Sequence, residues 1–431
     1  MKDTIFILLF LPFVFLTLRN PFIGLCAWIW TIMAVPKNML WGFATDIRYT
    51  LLLAIITIIS MLINKDSLKK PPFTSLFYLL ILFLIHITIS NTLRMGSSDL
   101  TWQVWADFFK AIIFSMLVMT LLTTKNRIET FLIALLIGVG FNIFFEGLKY
   151  VVSAGNYTIV GIENSMMTDN NLFALAILMV LPLYFYMASQ VRYKYVKLGF
   201  LGLAGLSVVC VIGSFSRGGF VGLIIVGWQI FLKVKRKLLF LIIAFSFISL
   251  ALTINSDQWT SRMQTIEHAE EDKSFLGRTT AWKLATLLAI DNPVFGGGQN
   301  AVQHLAVWQL YYIDIHKFDF ITSENTTSQK GKAAHSIYFQ VLGDAGFVGL
   351  FIFLLILYKS FRLSARLAKN GTHSWLRELA KAIKTILLVY MTSGALLSFA
   401  YYDLIYVLIG ILVCIERINI EAIADSKITN N

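Results

Sequence analysis

The chain of 431 residues is 57% hydrophobic and only 14% charged, with a mean hydropathy of +0.73, well outside the composition of soluble globular domains. A soluble enzyme is therefore excluded, and the bilayer is the solvent against which the residues have to be read. The formal net charge of +12 raises nucleic acid as a partner, but no interleaving of basic and aromatic residues typical of a nucleic-acid module occurs.

Apolar stretches about long enough to cross a ~30 Å hydrocarbon core as helix run through the whole chain. The first, Ile5 to Leu18 behind Lys2, has the outline of a signal peptide. No small-residue cleavage site follows it and further spans come at once, so it is expected to be retained. Arg19, Asn20 and Pro21 interrupt the run from residue 5 to 35, which reads as one kinked span or two short ones. Further spans are predicted at 49–63, 73–90, 104–122, 128–151, 171–187, 195–214, 219–232, 238–254, 337–358, 382–398 and 402–415. With one or two spans at the start, the total is about 12 or 13, and the fold class is an all-α integral membrane protein. No internal repeat, linker or low-complexity tract divides it, so residues 1–431 form a single polytopic membrane domain. Cys26, Cys210 and Cys414 each lie inside an apolar stretch, in no metal-ligand spacing, and read as small buried hydrophobes.

Orientation follows from the basic residues of the short loops, which are enriched on the cytoplasmic side. One set of loops holds Lys65, Lys69 and Lys70, then Lys125 and Arg127, then Arg192, Lys194 and Lys197, then Lys233, Lys235, Arg236 and Lys237, with six more between residues 359 and 381. The alternate set holds Lys37, Arg48, Arg94 and Arg217. Eighteen basic residues against four place the first set in the cytoplasm, and topology rather than nucleic acid accounts for the net charge. The expected location is the bacterial inner membrane, multi-pass.

One extramembrane segment stands apart. Residues 256–336 form the only long loop, on the face opposite the basic loops, and a connection of that length is expected to carry elements and a function of its own. Arg278 to Ile290 fits a helix with Ala281, Trp282, Ala285, Leu288 and Ala289 on one side, stopping before Pro293. Gln299 to Tyr312 is a second candidate, and its Trp308, Tyr311 and Tyr312 suit a membrane interface. Packing of both helices on the bundle is the plainer alternative.

Ionisable groups within or beside spans are costly and are candidates for function. Arg217 stands in Ser214-Phe215-Ser216-Arg217-Gly218-Gly219, between two apolar runs on the outer side, where the glycines allow a tight turn and a close backbone approach to a ligand. The competing reading is an arginine snorkelling to the interface. His335 stands in Ala333-Ala334-His335-Ser336-Ile337-Tyr338, just before the chain returns to the membrane. Histidine suits proton transfer near neutral pH, although a lone histidine is often structural. Two spans separate the Arg217 turn from the long loop, so Arg217, His335 and Arg278 share a face. Two guanidinium groups suit a diphosphate, because each offers a planar, permanently charged donor fork; an exposed helix residue is the alternative for Arg278.

The remaining polar clusters carry less. Glu267, His268, Glu270, Glu271 and Asp272 read as a solvated loop whose spacing matches no metal site, and no metal is assigned. Gly296-Gly297-Gly298 lacks the strand-to-helix context of a nucleotide-binding loop and reads as a turn. Asp169-Asn170-Asn171 precedes a span on the outer side, where it caps that helix or contacts sugar hydroxyls.

Taken in order, these motifs resemble a known family. Ser216-Arg217-Gly218-Gly219 lies between two spans; Gly277-Arg278 follows with Trp282 and Asp291-Asn292-Pro293-Val294-Phe295-Gly296-Gly297-Gly298; then come His335-Ser336-Ile337-Tyr338-Phe339-Gln340 and Gly343-Asp344-Ala345-Gly346-Phe347-Val348-Gly349-Leu350. Order and topology resemble the O-antigen ligase and polymerase superfamily. Arg19-Asn20-Pro21, Trp41-Gly42-Phe43-Ala44 and Glu271-Asp272 look more like the exosortase-associated O-glycosylation ligases within it. The resemblance implies a metal-independent, cofactor-free, inverting glycosyltransferase that uses a glycan on undecaprenyl diphosphate, with its site facing the periplasm. By the same resemblance His335 is the general base and Arg217 and Arg278 bind the diphosphate; from their positions, Asp169, Asn170 and Ser336 are candidates for sugar or acceptor contacts. The family often has Asn after the histidine where this chain has Ser336.

The acceptor stays open at this point, as a lipid-core sugar or a Ser or Thr of a protein. A polymerase is a third glycosyl-transfer option, disfavoured by the single substantial outer loop. A transporter would carry charged residues near the midplane and paired helix interruptions, and neither is visible.

Overall fold

The computed structural model describes residues 2–65, 71–96, 98–239, 241–242, 245, 273–320, 322, 325–326 and 331–429. Within them the chain is helical and carries no strand. The helices are α1 (Lys2–Arg19), α2 (Pro21–Ala34), α3 (Tyr49–Ile63), α4 (Ser75–Thr92), α5 (Ser98–Leu121), α6 (Lys125–Val152), α7 (Asn170–Gln190), α8 (Lys194–Gly213), α9 (Arg217–Lys233), α10 (Lys273–Asp291), α11 (Leu305–Tyr312), α12 (Ile337–Asn370), α13 (Ser374–Ser393) and α14 (Asp403–Thr429). Among the described residues seven helices are long and apolar enough to cross a membrane, namely α4 to α8, α12 and α13, and α2, α3 and α9 are shorter apolar helices. Most of the predicted span at 238–254 lies outside the described residues, as do the acidic run Glu267 to Asp272 and the loop before Lys273.

The opening run resolves into two helices, for a local reason. Pro21 has no amide to continue α1, and it occupies the first position of α2, where that amide would be unsatisfied anyway. The Asn20 side chain caps the new helix by accepting from the Phe22 amide at 3.1 Å. The Asp3 carboxylate then accepts from the amides of Trp41, Gly42 and Ala44 at 3.2, 2.9 and 3.2 Å. The Trp41-Gly42-Phe43-Ala44 motif is thus a turn tied back to the start of α1.

At the centre lies α7, packed against α6, α8, α9 and α13 and buried on nearly every side from Phe173 to Ala188. On its flank, α12 packs against α4, α10, α13 and α14. Helix α10 packs against α12, and a cluster of its own, in which Ala281, Leu284, Ala285 and Leu288 meet Val302, Val307, Trp308 and Tyr311, joins it to α11 and the turn before it. Here the expectation of interfacial aromatics is corrected: Trp308 and Tyr311 are buried, because α11 folds back on α10 and turns its aromatic face inward. Lys283 is buried within α10 as well. Its ammonium donates to the Thr322 carbonyl at 2.5 Å and to Asn325 Oδ1 at 2.9 Å and pairs with Asp319 at 3.5 Å, which offsets the cost of burying the charge.

The joint between α10 and the bundle is made at a break in α12. Gly346 takes φ 68°, ψ −171° inside that helix, a conformation open almost only to glycine. The break releases backbone groups from the helical ladder, and the Asp291–Gly298 segment takes them up. Gly297 and Gly298 donate to the carbonyls of Gly343 and Asp344 at 2.9 and 3.0 Å, and Phe347 donates to the Pro293 carbonyl at 2.8 Å. From α4, Ser90 donates to the Asp344 carbonyl at 2.5 Å and His86 Nε2 meets the Ala345 carbonyl at 2.9 Å. A Cβ on Gly346 would lie 2.7 Å from the Pro293 carbonyl oxygen. Gly346→Ala is therefore expected to destabilise the fold by about 1–3 kcal/mol, read as a lower melting temperature in detergent; an unchanged melting temperature would show that the joint does not carry this strain.

Candidate functional site

The site is assembled at one end of the bundle from four separate parts of the chain. The first is the turn between α8 and α9. Phe215 adopts φ 51° there, and Ser216 caps α9 by accepting from the Gly219 amide at 3.0 Å, which sets Arg217 as the first residue of the helix. The two glycines divide their tasks differently from the tight turn expected of them. A Cβ on Gly219 would stand 3.0 Å from that of Ala174, so the glycine lets α9 approach α7, whereas one on Gly218 would meet only the Ser393 carbonyl oxygen, at an ordinary contact of 3.9 Å.

The second part is the start of α7, which is wired to that turn. Asp169 Oδ1 caps α7, accepting from the amides of Asn171 and Leu172 at 2.8 and 2.9 Å. Asn170 donates to the Ser214 carbonyl at 2.7 Å, and Ser216 donates to Asn171 Oδ1 at 2.8 Å. The third part is Arg278 on α10. The fourth is the segment between α13 and α14, which contributes Leu396 and Leu397. Together Asn170, Asn171, Phe215, Arg217, Gly218, Arg278, Leu396 and Leu397 line a cavity of about 140 Å³. Arg217 and Arg278, 61 residues apart in the sequence, thus border one space.

His335 stands beside it. Its backbone is in the left-handed region, φ 44°, a strained state that histidine tolerates better than most residues and that persists only where the surroundings fix it. They do so on both sides: the His335 amide donates to Ser398 Oγ at 2.7 Å, and the preceding Ala334 carbonyl accepts from Trp282 Nε1 at 2.6 Å. Trp282 is further held by stacking on Phe339, with ring centroids 5.0 Å apart. The sequence places Trp282 on an apolar helix face, but its indole N–H positions the histidine segment.

Burial first, then the Arg278 charge and more weakly Lys332, hold His335 below its ordinary value of 6.5, against an opposing pull from Asp169. The imidazole is consequently neutral at pH 7 and able to accept a proton. Of the predicted residues, Arg217, Arg278 and Asn170 line the cavity, and Asp169 caps α7 at its edge. Ser336 is buried at the start of α12, with its carbonyl accepting from the Gln340 amide at 2.8 Å. Among the described residues no group of three His, Cys, Asp or Glu side chains converges as a metal site would require.

Residues 202–354, which hold Arg217, Arg278 and His335, match the family described as O-antigen ligase. Residues 202–354 thus carry an O-antigen ligase domain, which supports the O-antigen ligase and polymerase superfamily. Residues 1–192, including Asp169 to Asn171, match a family of unknown function, DUF5935. Among curated proteins, none matches the chain. The cavity of this O-antigen ligase domain is therefore walled in part by the other matched region. A titration of labelled His335 by NMR checks the electrostatics: its pKa is expected below 6.5, rising in Arg278→Met as a repelling cation is lost and falling in Asp169→Asn as a stabilising anion is lost. Insensitivity to both substitutions would place His335 outside the site.

Proposed function

We propose that this protein is a membrane glycosyltransferase that moves a glycan from undecaprenyl diphosphate to an acceptor hydroxyl. The observation that carries the reading is the pair Arg217 and Arg278 on one cavity with a neutral His335 beside it. In the proposed step the acceptor oxygen attacks the anomeric carbon with inversion as its proton passes to the His335 imidazole. The bond from that carbon to the diphosphate oxygen breaks, and the diphosphate leaves with the electron pair. Arg217 and Arg278 offset the charge that develops on it; such preorganised cations are among the larger contributions to catalysis, and a positioned base contributes ~10²–10⁴-fold. With two guanidinium groups in that role, a divalent metal is not required by the proposal.

The excess of basic residues in the opposite loops supports a site on the outer face of the inner membrane. Arg19-Asn20-Pro21 and the tied turn at Trp41-Gly42-Phe43-Ala44 support the exosortase-associated branch. Asn170, on the cavity wall, is the proposed contact for a sugar hydroxyl. The proposed acceptor is a lipid-core sugar, with Ser or Thr of a protein as the alternative that a panel resolves.

The test incubates purified protein with a defined undecaprenyl-diphosphate glycan and a panel of lipid and peptide acceptors in the presence of a chelator. Transfer to one acceptor class is expected, falling by ~10²–10⁴-fold in His335→Ala. Absence of transfer to any acceptor, or transfer undiminished in His335→Ala, overturns the proposal.

A further inference from the structure

Lys332 lies three residues before His335, and its side chain rests on α10. A Cβ placed on Gly277 would come 2.9 Å from the Lys332 ammonium and 3.1 Å from its Cδ. Gly277 directly precedes the cavity-lining Arg278, so the absence of a side chain at 277 leaves the seat in which the lysine lies, one residue from the arginine along the helix. Among the described residues no carboxylate forms an ion pair with Lys332. Like charges gathered in this way repel, and the attraction of each to a bound anion offsets that repulsion.

We propose that Lys332 is a third anion-holding group of the site, seated over Gly277 beside Arg278 to grip a phosphate of the donor next to His335. This rests on the reading of the cavity as a diphosphate site and adds a residue to it. An ammonium complements a guanidinium here: the arginine supplies a fixed planar fork, and the lysine a compact point charge whose three donors turn to whichever oxygen remains. The charge of Lys332 also disfavours the protonated imidazole of His335, so the same side chain that holds the donor keeps the base ready.

The test uses the full-length protein in nanodiscs with inorganic pyrophosphate as the probe, alongside the pH profile of glycan transfer. Lys332→Met is expected to weaken pyrophosphate binding about ten- to hundred-fold, the range for a lost charge-assisted bond, and to move the acid limb of transfer to higher pH; Lys332→Arg retains most of the binding. Gly277→Ala is expected to fill the seat and weaken binding while leaving the melting temperature equal or raised, since alanine favours a helix. Pyrophosphate binding in Lys332→Met equal to wild type with an unmoved acid limb, a change in melting temperature alone, or no binding by wild type overturns the inference. His335→Ala separates the two readings: full transfer in that variant refutes the glycosyltransferase mechanism, whereas lost transfer beside an unaffected Lys332→Met refutes only the role of Lys332.

Discussion

A helix interrupted in a membrane protein exposes amides and carbonyls that hydrocarbon cannot satisfy, and each must find a partner within the protein. At Gly346 the partners come from the segment that follows α10, whose two glycine amides and proline carbonyl complete the broken ladder of α12. The consequence reaches well beyond the local bonds. This joint fixes α10 against the bundle, and α10 carries both Arg278 and the Trp282 that holds the carbonyl before His335. The strained glycine, the docked turn and the site are parts of one construction.

The rest of the site follows from where that joint places positive charge. Arg278 arrives from outside the bundle and Arg217 from the first turn of α9, where the helix dipole adds a further attraction for an anion. The asparagines at the start of α7 fasten the Arg217 turn through Ser214 and Ser216. The half-buried His335 is kept from protonation first by its burial and then by the charges of Arg278 and, more weakly, Lys332, against the pull of Asp169.

Much of this was legible in the sequence because it follows from period and polarity. Apolar length marked the helices, and the count of two predicted spans between the Arg217 turn and the long loop led to the expectation that Arg217, Arg278 and His335 share a face; in the structure Arg217 and Arg278 line one cavity. Long-range backbone bonding has no such signature. Gly296-Gly297-Gly298 read as a turn, and a turn it is, but its partner in a helix about fifty residues away cannot be read from spacing. Lys283 gave no sign of burial because its partners, Asp319, Thr322 and Asn325, lie in a different segment. The aromatic pattern of Trp308 and Tyr311 suits an interface and a small core equally well, and only the return of α11 onto α10 decides between them.

The central claim is that Arg217 and Arg278 hold one anion between them, and a double-mutant cycle measures it most directly. Binding of undecaprenyl diphosphate would be compared for Arg217→Met, Arg278→Met and the double variant in the same membrane preparation. If both guanidinium groups grip the same diphosphate, the double variant loses distinctly less than the combined losses of the single variants. Strictly additive losses would mean that the two arginines act independently, and would contradict the account.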